Sequence, residues 1–367
     1  MIAKGVGDSN SQSKWELLSQ ICDMYYIQHQ TQLEISQKFH LSRVMVSRML
    51  TEAATLGVVE FKINRTSIRR QELEDQLSQY FPEVEFVVVR DSFGDINEMI
   101  GRQAAVNAER FIFDGSTLAI SYGTAVYQTI KAIPAHHFRK MTVVQMAGVE
   151  GATNPEIDGW QLVKICAERL GGDYQYLSAS LFSSTPEIHS ALRADKKIKE
   201  IFDIAKDSDL AIVGIGSMDP ENSSVVRAGH LTFERLEHAA KAGSIGYIGG
   251  QHFNIQGDPL PGLNNLTMSL DLQLIRDIPA VIGVAHGASK VQPLIGALSG
   301  QYLTCLVTDD IAALGIIKFL SQNQNLPEKG ASSRRLRNKE RTKKRRKAIH
   351  KGEPASISIL GKGKNVR

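Results

Sequence analysis

The spacing of apolar residues changes twice along this chain. Between Trp15 and residue 66, apolar residues recur at helical intervals and end in a short β-like run at 58–63. The next segment, 67–82, is charged and again has helical spacing, which predicts a connecting helix that Pro82 ends. Residues 1–14 are polar, and we expect them to form a flexible N-terminus.

From residue 83 onward, short apolar runs alternate with helical stretches. The predicted strands are 84–89, 118–121, 142–146, 210–214, 281–285 and 303–307, and the predicted helices are 97–113, 125–132, 161–170, 233–241 and 311–320. Such alternation is typical of a mostly parallel α/β sheet that helices cover on both faces. Ligands of these sheets bind at the carboxyl ends of the strands. We therefore expect an effector-binding α/β domain over 83–322.

Composition narrows the class of protein. The chain has 367 residues, of which 42% are hydrophobic and 22% charged, so it can form two folded units and is not disordered throughout. Its three cysteines lie far apart, without the spacing of a zinc site or a disulfide framework. No signal peptide or membrane-spanning stretch stands out. We expect a soluble, cytoplasmic protein that has no metal site, needs no cofactor and binds no membrane.

The net charge of +4 is unevenly distributed. Residues 327–367 hold 15 of the 43 Lys and Arg but 3 of the 39 Asp and Glu, so this tail carries +12 and the rest of the chain −8. Overall basicity is thus no argument for nucleic-acid binding, which must rest on a local site. We expect residues 323–367 to be a disordered basic tail. A nonspecific nucleic-acid anchor, a tail without a role and an altered reading frame are three interpretations of it.

The most specific pattern lies between Thr31 and Leu50. It predicts two short helices joined at His40-Leu41, with Ser42 as the N-cap of the second helix. The residues expected on the inner, apolar side are Leu33, Ile35 or Ser36, Phe39, Val46, Leu50 and Ala53. This spacing is typical of a helix-turn-helix, whose second helix enters the major groove of DNA. His40 stands where such turns commonly have glycine, so a less suited residue must adopt the left-handed conformation.

We expect the outer face of this element to bind DNA. The residues assigned to this contact are Thr31, Gln32, Ser42, Arg43, Met45, Ser47 and Arg48. Arginine can bond guanine or phosphate, and hydroxyl and amide groups can bond phosphate oxygens. A plain helical hairpin with solvated arginines is the alternative. The wing-like run at 58–63 favours DNA binding, since it agrees with the inner apolar stripe and the basic outer face.

Glycine-rich loops follow several predicted strands. Ser121 to Ala125 joins a strand to a helix, where backbone N–H groups of Gly123, Thr124 and Ala125 could hold a phosphate; a tight turn capped by Thr124 is the alternative. The loop with Gly287 repeats this arrangement and adds Lys290, which would complement an anion unless it is simply a solvated lysine. After the strand at 210–214, Gly216 is followed by Asp219. The carboxylate of Asp219 is either an acceptor for sugar hydroxyls or an ordinary loop carboxylate.

Residues 15–322 resemble the SorC family, also called the DeoR-like sugar-binding bacterial transcriptional regulators. The motifs that carry the resemblance are Ser42-Arg43, Val46-Ser47-Arg48, Gly123-Thr124, Gly214-Ile215-Gly216, 245–257, 283–290 and 306–310. The resemblance implies an effector domain related to sugar-phosphate isomerases, deaminases and CoA-transferases. It also implies a phosphorylated sugar as effector, and homodimers or homotetramers on paired operator sites.

The chain departs from the family pattern near the effector. The departures are Gly246-Tyr247 for a Gly-Asp pair, Gly250-Gln251 for Gly-Arg, His286-Gly287 for a glycine pair and Ser180 for proline. Tyr247 removes a carboxylate and adds bulk, so the sugar contact is expected to differ, whereas the phosphate end at Gly123, Thr124 and Lys290 is preserved.

These patterns predict a DNA-binding regulator of a carbohydrate-metabolism operon, and not an enzyme. Its expected partners are double-stranded operator DNA and a small phosphorylated sugar that modulates operator binding. The alternative is a sugar-phosphate isomerase-like or deaminase-like enzyme, with Lys290 or Asp219 in acid–base chemistry. Against this alternative, neither paired carboxylates nor a Cys/His arrangement stands out.

Overall fold

The computed structural model describes residues 8–59, 69–91, 94–149, 158–222 and 233–323. The chain divides into two compact units, Met1–Thr66 and Ser67–Arg367, here called the N-terminal unit and the effector unit. Most of the predicted wing, 60–63, and nearly all of the basic tail lie outside the described residues. Among the described helices, none has both the length and the apolar character needed to cross a membrane.

The N-terminal unit is helical. It consists of α1 (Asp8–Cys22), a π-helical turn (Asp23–Ile27), α2 (Gln32–Lys38) and α3 (Arg43–Thr55). Helix α1 starts at Asp8, earlier than the residue 15 at which the sequence predicts the folded region to begin. The fully buried side chains of its core are Leu18, Ile21, Ile35, Val46 and Ala53. The inward orientation predicted for Leu33 is wrong, because this side chain is 56% exposed.

The effector unit alternates strands and helices. Its strands are β1 (Glu85–Val89), β2 (Thr117–Ile120), β3 (Thr142–Gln145), β4 (Asp173–Gln175), β5 (Leu210–Gly214), β6 (Gly216–Ser217), β7 (Gly246–Ile248), β8 (Gln251–Phe253), β9 (Ala280–Val284) and β10 (Cys305–Asp309). Its helices are α4 (Gln71–Tyr80), α5 (Ile96–Glu109), α6 (Thr124–Ala132), α7 (Gly159–Leu170), α8 (Pro186–Ala194), α9 (Lys196–Lys206), α10 (Phe233–Lys241), α11 (Pro261–Asn264), α12 (Leu272–Asp277), α13 (Val291–Ser299) and α14 (Asp310–Gln322).

Seven strands form one parallel sheet in the order β1-β10-β9-β5-β2-β3-β4. Side chains alternate between its two faces: in β1, Phe86 and Val88 join one apolar core, whereas Val87 and Val89 join the other. Both faces are therefore covered, and the predicted parallel α/β architecture is confirmed. Strands β6, β7 and β8 form a separate antiparallel sheet that the sequence did not predict.

The predicted connecting helix packs as part of the effector unit. In α4, Leu73 and Leu77 are buried in the core of that unit. Glu74 is also buried, accepts a hydrogen bond from the Val88 N–H at 2.9 Å and pairs with Arg69 at 2.6 Å. Because a buried carboxylate is tolerated only with such partners, these bonds fix α4 against β1.

Candidate functional sites

A tight turn over residues 39–42 joins α2 to α3. His40 has a left-handed backbone, with φ of +53°. The Leu41 N–H donates to the Ser36 carbonyl at 2.9 Å, and the His40 N–H donates to the Gln37 carbonyl at 3.4 Å. These two bonds form a Schellman motif, which usually has glycine at the left-handed position. The prediction that His40 adopts this conformation is confirmed.

Helix α3 ends with the same motif. Gly57 has φ of +75°, and the Val58 N–H donates to the Ala53 carbonyl at 2.9 Å. The Gly57 N–H donates to the Ala54 carbonyl at 3.3 Å. The N-terminal unit therefore contains two equivalent helix ends, one closed through histidine and the other through glycine.

The first turns of α3 present their side chains to solvent. Ser42 caps the helix, since its Oγ accepts from the Met45 N–H at 3.1 Å. A hydroxyl that accepts one bond can still donate another, so this serine keeps a donor for a phosphate oxygen. The exposed side chains on this surface are Ser42, Arg43, Val44, Met45, Ser47 and Arg48. The sequence predicted all of these except Val44, which is 64% exposed.

The start of α2 engages the predicted DNA contact Thr31. Its Oγ1 donates to Glu34 Oε2 at 2.8 Å and accepts from the Glu34 N–H at 3.3 Å, which forms a capping box. Hydrogen bonds from Thr31 hold the pKa of Glu34 below its ordinary value. The Thr31 hydroxyl is thus already occupied. An open groove beside it is lined by Tyr25, Tyr26, His29, Gln30, Thr31, Gln32, Leu33 and Arg43.

The effector unit brings the predicted loops together at one edge of the sheet. Strands β2, β5 and β9 are parallel neighbours, so their carboxyl ends lie side by side. The Gly214 N–H donates to Ser121 Oγ at 3.0 Å and ties the end of β5 to the loop after β2. Ser217 Oγ donates to the Ser289 carbonyl at 3.0 Å and ties β6 to the turn after β9. The three loops therefore meet in space.

Gly123 opens α6 at this edge. It has φ of +110°, and no described atom lies within 4 Å of the position that its Cβ would take. The first N–H groups of a helix, here those of Thr124 and Ala125, have no partner within the helix, and the helix dipole favours an anion there. The alternative in which Thr124 caps the helix is wrong, because Gly123 holds the cap position.

Gly287 repeats this backbone geometry after β9, with φ of +92°. Its N–H, however, donates to both carboxylate oxygens of Asp309, at 3.0 and 3.1 Å. Asp309 is 1% exposed and also accepts from the Ala312 N–H at 3.0 Å, at the start of α14. The Gly287 amide therefore holds the loop against the start of α14, and the effector contact of Gly287 stays a prediction.

Lys290 and Asp219 supply charge near the same edge. Lys290 is half-buried at the end of a short 3-10 turn, Ala288–Lys290. Desolvation lowers the pKa of His286, and the neighbouring carboxylate of Asp309 opposes this effect in part, while Lys290 adds to it. His286 Nε2 lies 2.8 Å from Asn97 Oδ1. Asp219 is half-buried, and its Oδ1 accepts from the Glu221 N–H at 3.1 Å.

Tyr247 occupies the space next to Gly216. The two residues pair across β6 and β7, and a Cβ on Gly216 would lie 2.0 Å from Cε2 of the tyrosine ring. Tyr247 is only 2% exposed and packs in the core on one face of the main sheet. The structure thus brings these two predicted effector residues together, with the absent glycine side chain making room for the ring.

A buried polar pair behind Tyr247 was not identified from the sequence. His252 lies 5.5 Å from the Tyr247 ring, measured between centroids, and its Nδ1 is 2.9 Å from Ser244 Oγ. Burial lowers the pKa of His252 to about 4, so the ring is neutral at neutral pH. The preceding turn, Gly249-Gly250, has positive φ at both residues, which suits a two-residue hairpin between β7 and β8.

The cysteines and acidic groups show no sign of metal chemistry in the described part of the chain. Cys22, Cys166 and Cys305 are buried and form no disulfide. Burial raises the pKa of Cys166 and of Cys305 to about 12, which keeps both as thiols. Within the described ranges, no three His, Cys, Asp or Glu side chains are grouped as metal ligands.

Comparison with known proteins assigns the effector unit to a family. Residues 66–318 match the model of a sugar-binding domain. The transcriptional regulator LsrR of Klebsiella pneumoniae is 27% identical over 312 residues, which cover 83% of this chain and 94% of that protein.

Solved structures agree with this assignment. The full-length sorbitol operon regulator SorC from Klebsiella pneumoniae is 25% identical, with a TM-score of 0.63 over 83% of this chain and 99% of that one. A transcriptional regulator from Streptococcus pneumoniae shares the fold, with a TM-score of 0.64 at 19% identity over 68% of this chain and 97% of that one. The chain therefore belongs to the SorC-like family of sugar-binding transcriptional regulators, and it is a regulator, not an enzyme.

Proposed function

We propose that this regulator binds operator DNA of a carbohydrate-metabolism operon and that a phosphorylated sugar modulates the binding. One observation carries the proposal: a two-helix element with a basic outer face precedes, on the same chain, a domain of the sugar-binding family. In this proposal, α2 and α3 are a helix-turn-helix, and α3 enters the major groove. The relatives named above are regulators, which argues against the isomerase-like or deaminase-like alternative.

Arg43 and Arg48 provide the positive charge of the proposed DNA surface. Both are exposed on α3, and the first turn of that helix holds no acidic residue. Ser42 and Ser47 offer hydroxyl groups for phosphate oxygens, and half-buried Gln32 offers an amide at the start of α2. Thr31 then acts by fixing the start of α2 through its capping box, and not by a direct contact of its hydroxyl.

The effector is proposed to bind at the carboxyl edge of β2, β5 and β9. The N–H groups of Thr124 and Ala125, opened by Gly123, would receive the phosphate, and Lys290 would supply the opposite charge. Asp219 would accept hydroxyl groups of the sugar, and buried Tyr247 would shape the site through its packing against Gly216. The effector would act by binding two arrangements of a homodimer or homotetramer with different affinity.

Two measurements test the proposal. The first compares, at physiological ionic strength, the affinity for the DNA upstream of the protein's own gene with the affinity for random duplex. If the two DNAs bind equally well, both in the absence and in the presence of sugar phosphates, the proposal is contradicted. The second measures thermal stabilisation by phosphorylated sugars and by the parent sugars. Lys290→Ala should abolish the shift caused by a phosphorylated sugar, whereas Lys318→Ala, at an exposed site on α14, should retain it.

A further inference from the structure

Two exposed apolar side chains stand among the polar groups on the outer face of α3, and Val44 is more exposed than Met45, which is 47% exposed. Val44 is the second residue of this helix and is 64% exposed. Residues four apart share a helix face, so Val44 lies one turn before Arg48, away from the buried Val46 and Leu50. A β-branched residue has lower helix propensity than most alternatives, and Val44 lies outside the buried core, so neither helix formation nor the core explains it.

The charge around Val44 complements a polyanion. Arg43 and Arg48 are exposed on either side of it along the chain. The acidic residue of this helix, Glu52, lies farther along and pairs with Lys14 at 2.6 Å. A cationic surface with an exposed apolar side chain therefore fits duplex DNA, which combines a polyanionic backbone with the methyl groups of thymine, better than an apolar partner surface.

We infer that Val44 reads the C5-methyl group of a thymine in the major groove. Of the four common bases, only thymine presents a methyl group in the major groove. The valine side chain cannot form a hydrogen bond with the donors and acceptors on the other base edges. The neighbouring arginines and Ser42 would position the helix through phosphate and guanine contacts, so the valine adds discrimination rather than attachment. This inference rests on the helix-turn-helix function proposed above.

The test removes one methyl group from the DNA at a time. Wild-type protein first selects duplexes from a random pool, and each thymine of the selected sequence is then replaced by deoxyuridine, which lacks only that methyl group. At one thymine in each half-site, we expect wild-type binding to weaken about four-fold, the effect of returning one methyl group to water. Val44→Ala should discriminate between the thymine and deoxyuridine duplexes less than the wild type does.

Two further variants serve as controls. Val106→Ala removes the same atoms from a valine that is 59% exposed on α5, and it should keep the wild-type preference for thymine. Val44→Thr keeps the β-branched shape and one γ-methyl group, which can still contact a thymine methyl group, so it should retain part of the preference. Circular dichroism checks that each variant is folded.

The outcomes separate the inference from the function on which it rests. Selection of a sequence whose binding is insensitive to every deoxyuridine substitution overturns the role of Val44 and leaves DNA binding intact. The role of Val44 is also overturned if Val44→Ala discriminates between thymine and deoxyuridine as the wild type does. The same holds if Val44→Ala changes self-association but leaves the DNA preference unchanged. If no sequence is enriched, the proposed DNA-binding function itself fails.

Discussion

Replacing His40 by glycine is expected to stabilise the N-terminal unit. His40 ends α2 in a left-handed conformation, at the position equivalent to Gly57 after α3. The same pair of backbone hydrogen bonds closes both helix ends. Because glycine adopts this conformation without steric cost, the histidine end should be the weaker of the two.

The magnitude follows from two opposing terms. A left-handed residue other than glycine costs about 1–2 kcal/mol. Glycine costs about 0.5–1 kcal/mol of additional chain entropy on folding. His40 is exposed, so its removal loses little packing, and a net gain of about 0.5–1 kcal/mol remains for His40→Gly. Gly57→Ala should lose a similar amount through the backbone alone, since no described atom lies within 4 Å of the added Cβ.

Tryptophan fluorescence can report the N-terminal unit by itself. The chain has two tryptophans, Trp15 in that unit and Trp160 in the effector unit, so a Trp160→Phe background isolates the first. In urea unfolding, the midpoint should rise for His40→Gly and fall for Gly57→Ala, with the slope unchanged. A lower midpoint for His40→Gly would refute the reasoning, since it would mean that the imidazole stabilises the turn by more than its backbone costs.

Three further outcomes are expected. Burial lowers the pKa of His252 from 6.5 to about 4, so the unfolded chain takes up this proton more readily than the folded effector unit. The free energy of unfolding of this unit should therefore fall as the pH drops through that range. In urea unfolding followed by Trp160 fluorescence, His252→Gln should make this fall smaller. Gly216→Ala should lower the same free energy by about 1–3 kcal/mol, because the new Cβ meets the Tyr247 ring, and an unchanged midpoint would contradict this contact. On a selected duplex, Arg48→Ala should reduce the slope of log affinity against log salt by about 0.9 for each occupied half-site, the share of one phosphate; an identical slope would exclude that contact.

Much of the sheet could be predicted because its strands are buried on both faces. Continuous apolar runs such as 210–214 were predicted with the observed bounds. The last strand was predicted at 303–307 but lies at 305–309, because the apolar run ends at Val307, whereas the strand continues through the buried polar residues Thr308 and Asp309. The sheet of β6, β7 and β8 was missed, since strands of two or three residues are too short to show a periodic pattern.

The candidate sites show the same limit. Helical spacing predicts the inner stripe of α3. In α2 it leaves a choice, because both Leu33 and Ile35 are apolar. Residues two apart lie about 200° apart around a helix, so both cannot face one core, and the sequence alone did not identify Ile35 as the inner one. The bond from Gly287 to Asp309 joins residues 22 positions apart, which local patterns do not reveal. The exposed position of Val44 was not predicted, although that of its apolar neighbour Met45 was.

The pairing of β1 with β10 has a consequence for biosynthesis. All five residues of β1 pair with β10, which is made more than two hundred residues later. The N-terminal unit, which is made first, can fold while the ribosome is still translating. Strand β1, by contrast, cannot pair until nearly the whole effector unit has emerged. Nascent chains that stop before residue 305 would expose an unsatisfied strand edge, which makes premature termination in this region a route to aggregation rather than to a shortened, working regulator.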